Sequence, residues 1–280
     1  MSYTIRSMTR PELEVAIDWA ATEGWNPGLY DADCFYGADP TGFLIGLVNN
    51  IPVATISAVK YGDTFGFIGF YIVRPESRGQ GYGLQIWKAA LAALEGRTIG
   101  LDGVVDQQEN YRKSGFELAY NNIRYQGMGG GEAPVDSAII PLAQIGFDEL
   151  RAYDQPFFPA DRQALLRSWI AQPQSTALGI MCHNQMAGYG VVRLCRSGYK
   201  VSPLYADNLA FADRLFTALK AHTSAGAPLF LDVSAPNTDA LRLVEHHHMV
   251  AVFETARMYL GSPPPVSMSR HFGVMSFELG

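Results

Sequence analysis

The sequence predicts an α/β (α+β) protein built from two consecutive copies of one unit, each a mixed, mostly antiparallel central sheet flanked by helices. Three observations predict it. A glycine-rich break, "GMGGGEAP" at 127–134, splits the chain into stretches of similar size. The same order of apolar runs and helical periods recurs on both sides of it. In each copy an antiparallel hairpin precedes a strand, helix, strand series. The expected division is 1–127 for the first domain, 128–134 for a linker and 135–280 for the second.

The elements of the first copy follow from local pattern. "YTIRSM" (3–8) alternates as a strand. "RPELEVAIDWAATEG" (10–24) has proline in its first turn, Leu13, Ile17 and Ala20 at helical spacing, and a closing glycine. "GFLIGLVNN" (42–50) and "IPVATISAVKY" (51–61) meet at Asn49-Asn50, residues that tolerate the positive φ of a tight hairpin. "FGFIGFYIV" (65–73) is a third strand, stopped at Arg74-Pro75. A helix at 81–96, a strand at 97–104, a short helix at 106–115 and a long strand at 116–126 complete the unit. The second copy reads as a strand at 137–142, helices around 144–153 and 160–171, a hairpin and a third run to 206. A helix at 208–225, a strand at 228–234, a helix at 237–248 and strands near 250–260 and 271–279 follow. The first copy has no obvious seventh strand, so "HFGVMSFELG" (271–280) is expected at the domain interface, completing a sheet across it.

Composition narrows the function. The 280 residues are 48% hydrophobic, ample for two cores. A net charge of -6 without a basic run excludes the electrostatic term on which nucleic-acid binding depends. The apolar stretches are short and interrupted, and "MSYTIRSMTRPELEV" lacks the apolar core of a signal peptide, so the chain reads as cytoplasmic with no membrane partner. Cys34, Cys182 and Cys195 are odd in number and lack CxxC spacing, which points to neither a disulfide framework nor a zinc site. No metal is expected; His246, His247 and His248 are consecutive on a helix and cannot all face one ion.

The residues that carry chemistry stand in "VRPESRGQGYG" (73–83). A glycine-rich approach to a helix start presents unpaired N–H groups and the positive end of the helix dipole to a phosphate, and Arg78 adds a charge-assisted donor. No Walker loop occurs. Gly79-x-Gly81 with Asp102 about twenty residues on is a partial dinucleotide fingerprint, but the strand before it is third in a hairpin-rich series.

Arg78-x-x-Gly81-x-Gly83 after a hydrophobic strand resembles the [Q/R]xxGx[G/A] signature of the Gcn5-related N-acetyltransferases. "YRKSGF" (111–116) resembles that family's Tyr-x-x-x-Gly-Phe, in the right order and spacing. The resemblance covers roughly residues 1–126. It implies that Ile72 and Val73 bind the pantetheine arm through their backbone, and that Arg78, Gly79, Gln80, Gly81, Tyr82 and Gly83 cradle the pyrophosphate of coenzyme A. It also implies that Tyr111 is the general acid toward the leaving thiolate. The family's asparagine some seven residues before the tyrosine is replaced by Val104, and Asn110 lies beside Tyr111 instead. Asp102 and Glu23 are both candidates for the base. Trp25, Tyr30, Phe35 and Tyr36 follow Glu23 in the region that covers the acceptor in the family. In the second copy "YKVSPLYADN" has no GxG, so Asp207 stands in the phosphate turn and reads as an N-cap. That copy is expected to be degenerate in coenzyme A binding and to support the first by packing or by shaping the acceptor site.

The function this implies is acetyl-CoA-dependent transfer of an acetyl group to a small-molecule amine by direct attack in a ternary complex. A non-catalytic acyl-CoA sensor and an NAD(P)-dependent oxidoreductase stay open as alternatives, as does a homodimer.

Overall fold

The computed structural model describes residues 2–280. The first half runs β1 (Tyr3–Ser7), α1 (Arg10–Thr22), α2 (Asp31–Ala38), β2 (Phe43–Val48), β3 (Ile51–Tyr61), β4 (Phe65–Val73), α3 (Tyr82–Ala93), β5 (Thr98–Val104), α4 (Gln108–Arg112) and β6 (Glu117–Met128). The second half repeats the order with β7 (Ile139–Pro141), α5 (Phe147–Asp154), α6 (Gln163–Trp169), β8 (Ser175–Cys182), β9 (Gln185–Leu194), β10 (Tyr199–Ala206), α7 (Leu209–Ala221), β11 (Pro228–Ser234), α8 (Thr238–His246) and β12 (Val250–Leu260). A short β13 (His271–Gly273) follows.

Local chemistry explains the boundaries. A capping box starts α1, in which the Thr9 N–H donates to Glu12 Oε2 at 2.8 Å. Asn49 and Asn50 carry φ of 51° and 63° in the first hairpin, and His183 and Asn184, at 51° and 60°, do the same in the second. Asp207 is not the N-cap of α7. Asn208 is, its side chain accepting from the Phe211 N–H, while Asp207 accepts from Tyr153 and Arg270. The histidines end α8. His247 Nε2 lies 2.8 Å from Asp213 Oδ1 and His246 Nε2 3.9 Å from it, so two of the three do approach one carboxylate.

All the strands belong to one sheet, ordered β1-β2-β3-β4-β5-β12-β6-β11-β10-β9-β8-β7, with β13 on β10. The strand that completes the first half's sheet is therefore β12 from the second half, paired to β5 from Thr255↔Val104 to Leu260↔Ile99. In exchange β6 pairs with β11 along its length. The expected role of residues 271–280 is corrected in two respects. Only three of them are strand, and they join β10 alone; the whole segment is nevertheless buried at the seam. The largest apolar cluster spans both halves, with Phe35 of α2 stacked on Trp169 of α6 at 5.7 Å. Three buried arginine–carboxylate pairs cross the seam: Asp31–Arg193, Asp102–Arg257 and Arg124–Asp232. The glycine-rich linker packs too, its Gly129 N–H donating to the Ala227 carbonyl at 2.7 Å. No helix among the described residues is long and apolar enough to cross a membrane.

Candidate functional site

Parallel pairing of β4 and β5 runs from Phe65↔Thr98 to Ile68↔Leu101 and stops there. Beyond it a bulge shifts the register of β4 against β3, with Phe70 at φ 47°. The strands splay, leaving the β5-facing edge of β4 from Gly69 to Val73 without a strand neighbour. A cavity of about 530 Å³ fills the gap, of a size that takes a substantial part of a cofactor or drug-sized molecule.

At one end Arg78 lines the cavity, and the rest of the glycine-rich turn, Gly79 to Gly83, lies just beyond its lining. Arg78 Nε donates to the Val73 carbonyl at 2.9 Å, tying the turn to the strand end, and its Nη2 meets Glu23 at 2.7 Å. Gly79 and Gly81 have φ of 76° and 81°, and a side chain on either would project into open space. Glycine is needed there for backbone conformation, not for room. The N–H groups of residues 79–84 find no acceptor among the described residues, which makes the start of α3 an anion cradle. The residues present thus fit a pyrophosphate. Gly83 sits against Tyr71 and Val73, Gln80 bonds back to Glu76, and the Tyr82 ring packs on Tyr3 at 4.7 Å.

In the middle, Tyr111 of α4 lines the cavity. Its ring lies over Gly103, where a β-carbon would come within 2.2 Å of it, and beside Trp87 at 5.4 Å. Burial pushes its phenol well above the ordinary tyrosine range, so it stays protonated at neutral and mildly alkaline pH. Its hydroxyl makes no hydrogen bond among the described residues. Asp102 also lines the cavity, but Arg257 grips both its oxygens at 2.6 and 2.7 Å, and Asn122 donates to it at 2.8 Å. Burial raises Asp102 against the pull of that guanidinium.

The far wall comes from the second half: Phe253 and Thr255 on β12, with Phe277 and Glu278 from the terminal segment. The Thr255 hydroxyl is buried without a partner.

Of the residues singled out in the sequence, Glu23, Trp25, Ile72, Val73, Arg78, Asp102 and Tyr111 meet in this cavity. Four placements need correction. Phe35 is fully buried in the seam core, because α2 packs on α6. Tyr30 bonds Gln174 away from the cavity, and Asn110 is engaged by Gln107 and Lys113 outside it. Asp102 is no ribose ligand, since Arg257 and Asn122 saturate it. The far wall was missed altogether. Its one legible sign is that Glu278 is the single acidic residue in the apolar "HFGVMSFELG".

The second half has the same opening and fills it with its own chain. Pairing of β10 with β11 ends at Val201↔Leu231; β13 then pairs with β10, and the Val274 N–H donates to the Asp232 carbonyl at 2.8 Å.

Comparison with known proteins agrees with this geometry. Residues 10–116 match the family described as Acetyltransferase (GNAT) family, and residues 150–273 the one described as Acetyltransferase (GNAT) domain. Holothin acyltransferase of Pseudoalteromonas sp. (strain SANK 73390) is 30% identical over 279 residues, covering 100% of this chain and 95% of that protein. A putative acetyltransferase from Pyrococcus horikoshii superposes with a TM-score of 0.85 at 21% identity, over 99% of this chain and 96% of that one. A tandem GNAT protein from the clavulanic acid biosynthesis pathway gives 0.63 at 11% identity, over 94% and 100%. The chain belongs to the GNAT acetyltransferase family as a tandem of two such domains, and it is an acyltransferase.

Proposed function

We propose that this chain transfers an acetyl group from acetyl-CoA to the amine of a small molecule, in a ternary complex held by the first domain. One observation carries the reading: a single cavity runs from Arg78, the residue that leads into the unpartnered amides of the glycine-rich turn, along the free edge of β4, past Tyr111, to an aromatic wall from the second domain. The bound donor supplies an activated thioester carbonyl. The N–H groups at the start of α3 and Arg78 would hold its pyrophosphate, and Ile72 and Val73 its pantetheine arm. Tyr111 keeps a proton for the leaving sulfur. Trp25, Phe253 and Phe277 bound the acceptor end, where Thr255 offers an unused hydroxyl. The name of the relative, an acyltransferase for holothin, supports a small-molecule acceptor. Three free cysteines, two of them buried, go with a cytoplasmic location.

Thermal shift with acetyl-CoA, CoA and NAD, followed by thiol release across a panel of primary amines, tests this. Stabilisation by both coenzyme A species and thiol release with at least one amine are expected. Stabilisation by NAD alone would refute it.

A further inference from the structure

Four carboxylates line the cavity, and they differ in what already holds them and in how far water reaches them. Asp106 is exposed to solvent, with nothing around it to hold or direct it. Glu23 is paired with Arg78 at the mouth. Asp102 is gripped by Arg257 and Asn122. Glu278 is buried, at 6% exposure, yet it has only one partner: Ser276 Oγ donates to its Oε2 at 2.6 Å. Oε1 has no hydrogen bond among the described residues and is not among the buried unpartnered atoms.

Its position is fixed by the backbone. The Glu278 and Leu279 N–H groups donate to Ser276 Oγ, the Gly280 N–H to the Ser276 carbonyl, and Tyr61 Oη to the Leu279 carbonyl at 3.0 Å. This turn lies flat on the bulged part of β4, where a β-carbon at Gly69 would come within 2.1 Å of the Glu278 carbonyl oxygen. Charged groups near the carboxylate include Asp102 on β5 with its partner Arg257 on β12, Arg124 on β6 and Arg193 on β9, and Glu23 and Asp106 line the same cavity. Arg124 and Arg193 are themselves committed to Asp232 and Asp31.

We propose that Glu278, carried across the seam by the terminal segment, is the general base of the first-domain site. The assignment rests on the acyl-transfer reading above. As the amine nitrogen bonds to the acyl carbon and the C–S bond breaks, the N–H proton passes to Glu278 Oε1. Tyr111 gives its proton to the departing sulfur, and the proton on Glu278 returns through water to Tyr111. The sum is amine plus thioester to amide plus thiol, with both side chains restored.

The test is kcat/KM against pH by thiol release, with acetyl-CoA affinity and Tm measured in parallel. Glu278→Gln should bind acetyl-CoA within about twofold of wild type, lose about 10²–10⁴ in kcat and lose the acid limb of the profile. Added formate should partly restore Glu278→Ala. An active wild type beside a Glu278→Gln variant with unchanged kcat and acid limb, or a Glu278→Ala variant that formate does not restore, overturns the Glu278 assignment alone. A wild type that binds acetyl-CoA but releases no thiol with any amine overturns the acyl-transfer reading and this one with it.

Discussion

Replacing Asp102 by Asn isolates what the seam's ion pairs contribute. Asp102 is fully buried in its side chain, Arg257 is 10% exposed, and the two meet through parallel bonds of 2.6 and 2.7 Å. At an effective dielectric of about 20, charges roughly 4 Å apart attract by about 4 kcal/mol, most of which offsets the desolvation of both groups. The pair is thus nearly neutral in net stability, while either charge alone is costly. Asn keeps the volume but turns an amide toward the donors of Arg257 and Asn122, leaving a buried cation unpaired. A loss of about 3–5 kcal/mol follows. The double variant Asp102→Leu with Arg257→Met should unfold within about 1 kcal/mol of wild type or above it. Urea unfolding followed by both circular dichroism and tryptophan fluorescence measures this. The two signals should coincide, because exchange of β6 and β12 leaves neither domain a complete sheet of its own. An Asp102→Asn variant less than 1 kcal/mol below wild type would refute the argument.

Three further outcomes are expected. Gly81→Asp should cost about 1–2 kcal/mol of stability, because a non-glycine residue must hold φ near 81°. It should also abolish acetyl-CoA binding in calorimetry, because its carboxylate stands at the cradle. Tyr111→Phe should lower kcat by about 10²–10⁴ with little change in acetyl-CoA affinity, read by steady-state kinetics and calorimetry. His271, buried against Tyr205, is held down to about 3 by burial first and by Arg257 and Arg162 next. Between about pH 3 and its unfolded value near 6.5, the unfolded chain binds a proton that the folded one refuses. Stability therefore falls as pH drops through that window, by up to about 1.4 kcal/mol per unit. His271→Phe should flatten the slope in urea midpoints measured from pH 4 to 7.

What could be read from the sequence divides along physical lines. Turn and cap chemistry is local: Asn49-Asn50 and the positive-φ glycines 79 and 81 announce their geometry within a few residues. Strand partners are not local. The alternation in "VAVFETARMYL" of β12 shows that a strand exists, yet nothing in it distinguishes β5 from β11 as its neighbour. The errors at the site have the same origin. Phe35 and Tyr30 follow Trp25 closely in sequence, and it is α6 and Gln174 from the other half that draw them away from the cavity. Thr255 and Glu278 enter it only because β12 and the terminal segment cross the seam.

The two openings of the tandem differ in what fills them. Each arises where a parallel pair splays, past Ile68 and Leu101 in the first half and past Val201 and Leu231 in the second. An exposed strand edge in such an opening needs hydrogen-bond partners. In the second half β13 supplies them, and Gly273 packs so closely that a β-carbon would lie 2.7 Å from Leu231. Asn208 caps α7 with the Asp207 carboxylate beside it, a charge that disfavours an anion there, and β13 covers the strand edge. The chain that fills it continues seven residues to Gly280, and on the way it lays Phe277 and Glu278 into the first opening. Closing one cleft and completing the other are thus consequences of a single segment. The second half, its own opening filled by β13, supplies one wall of the first half's cavity.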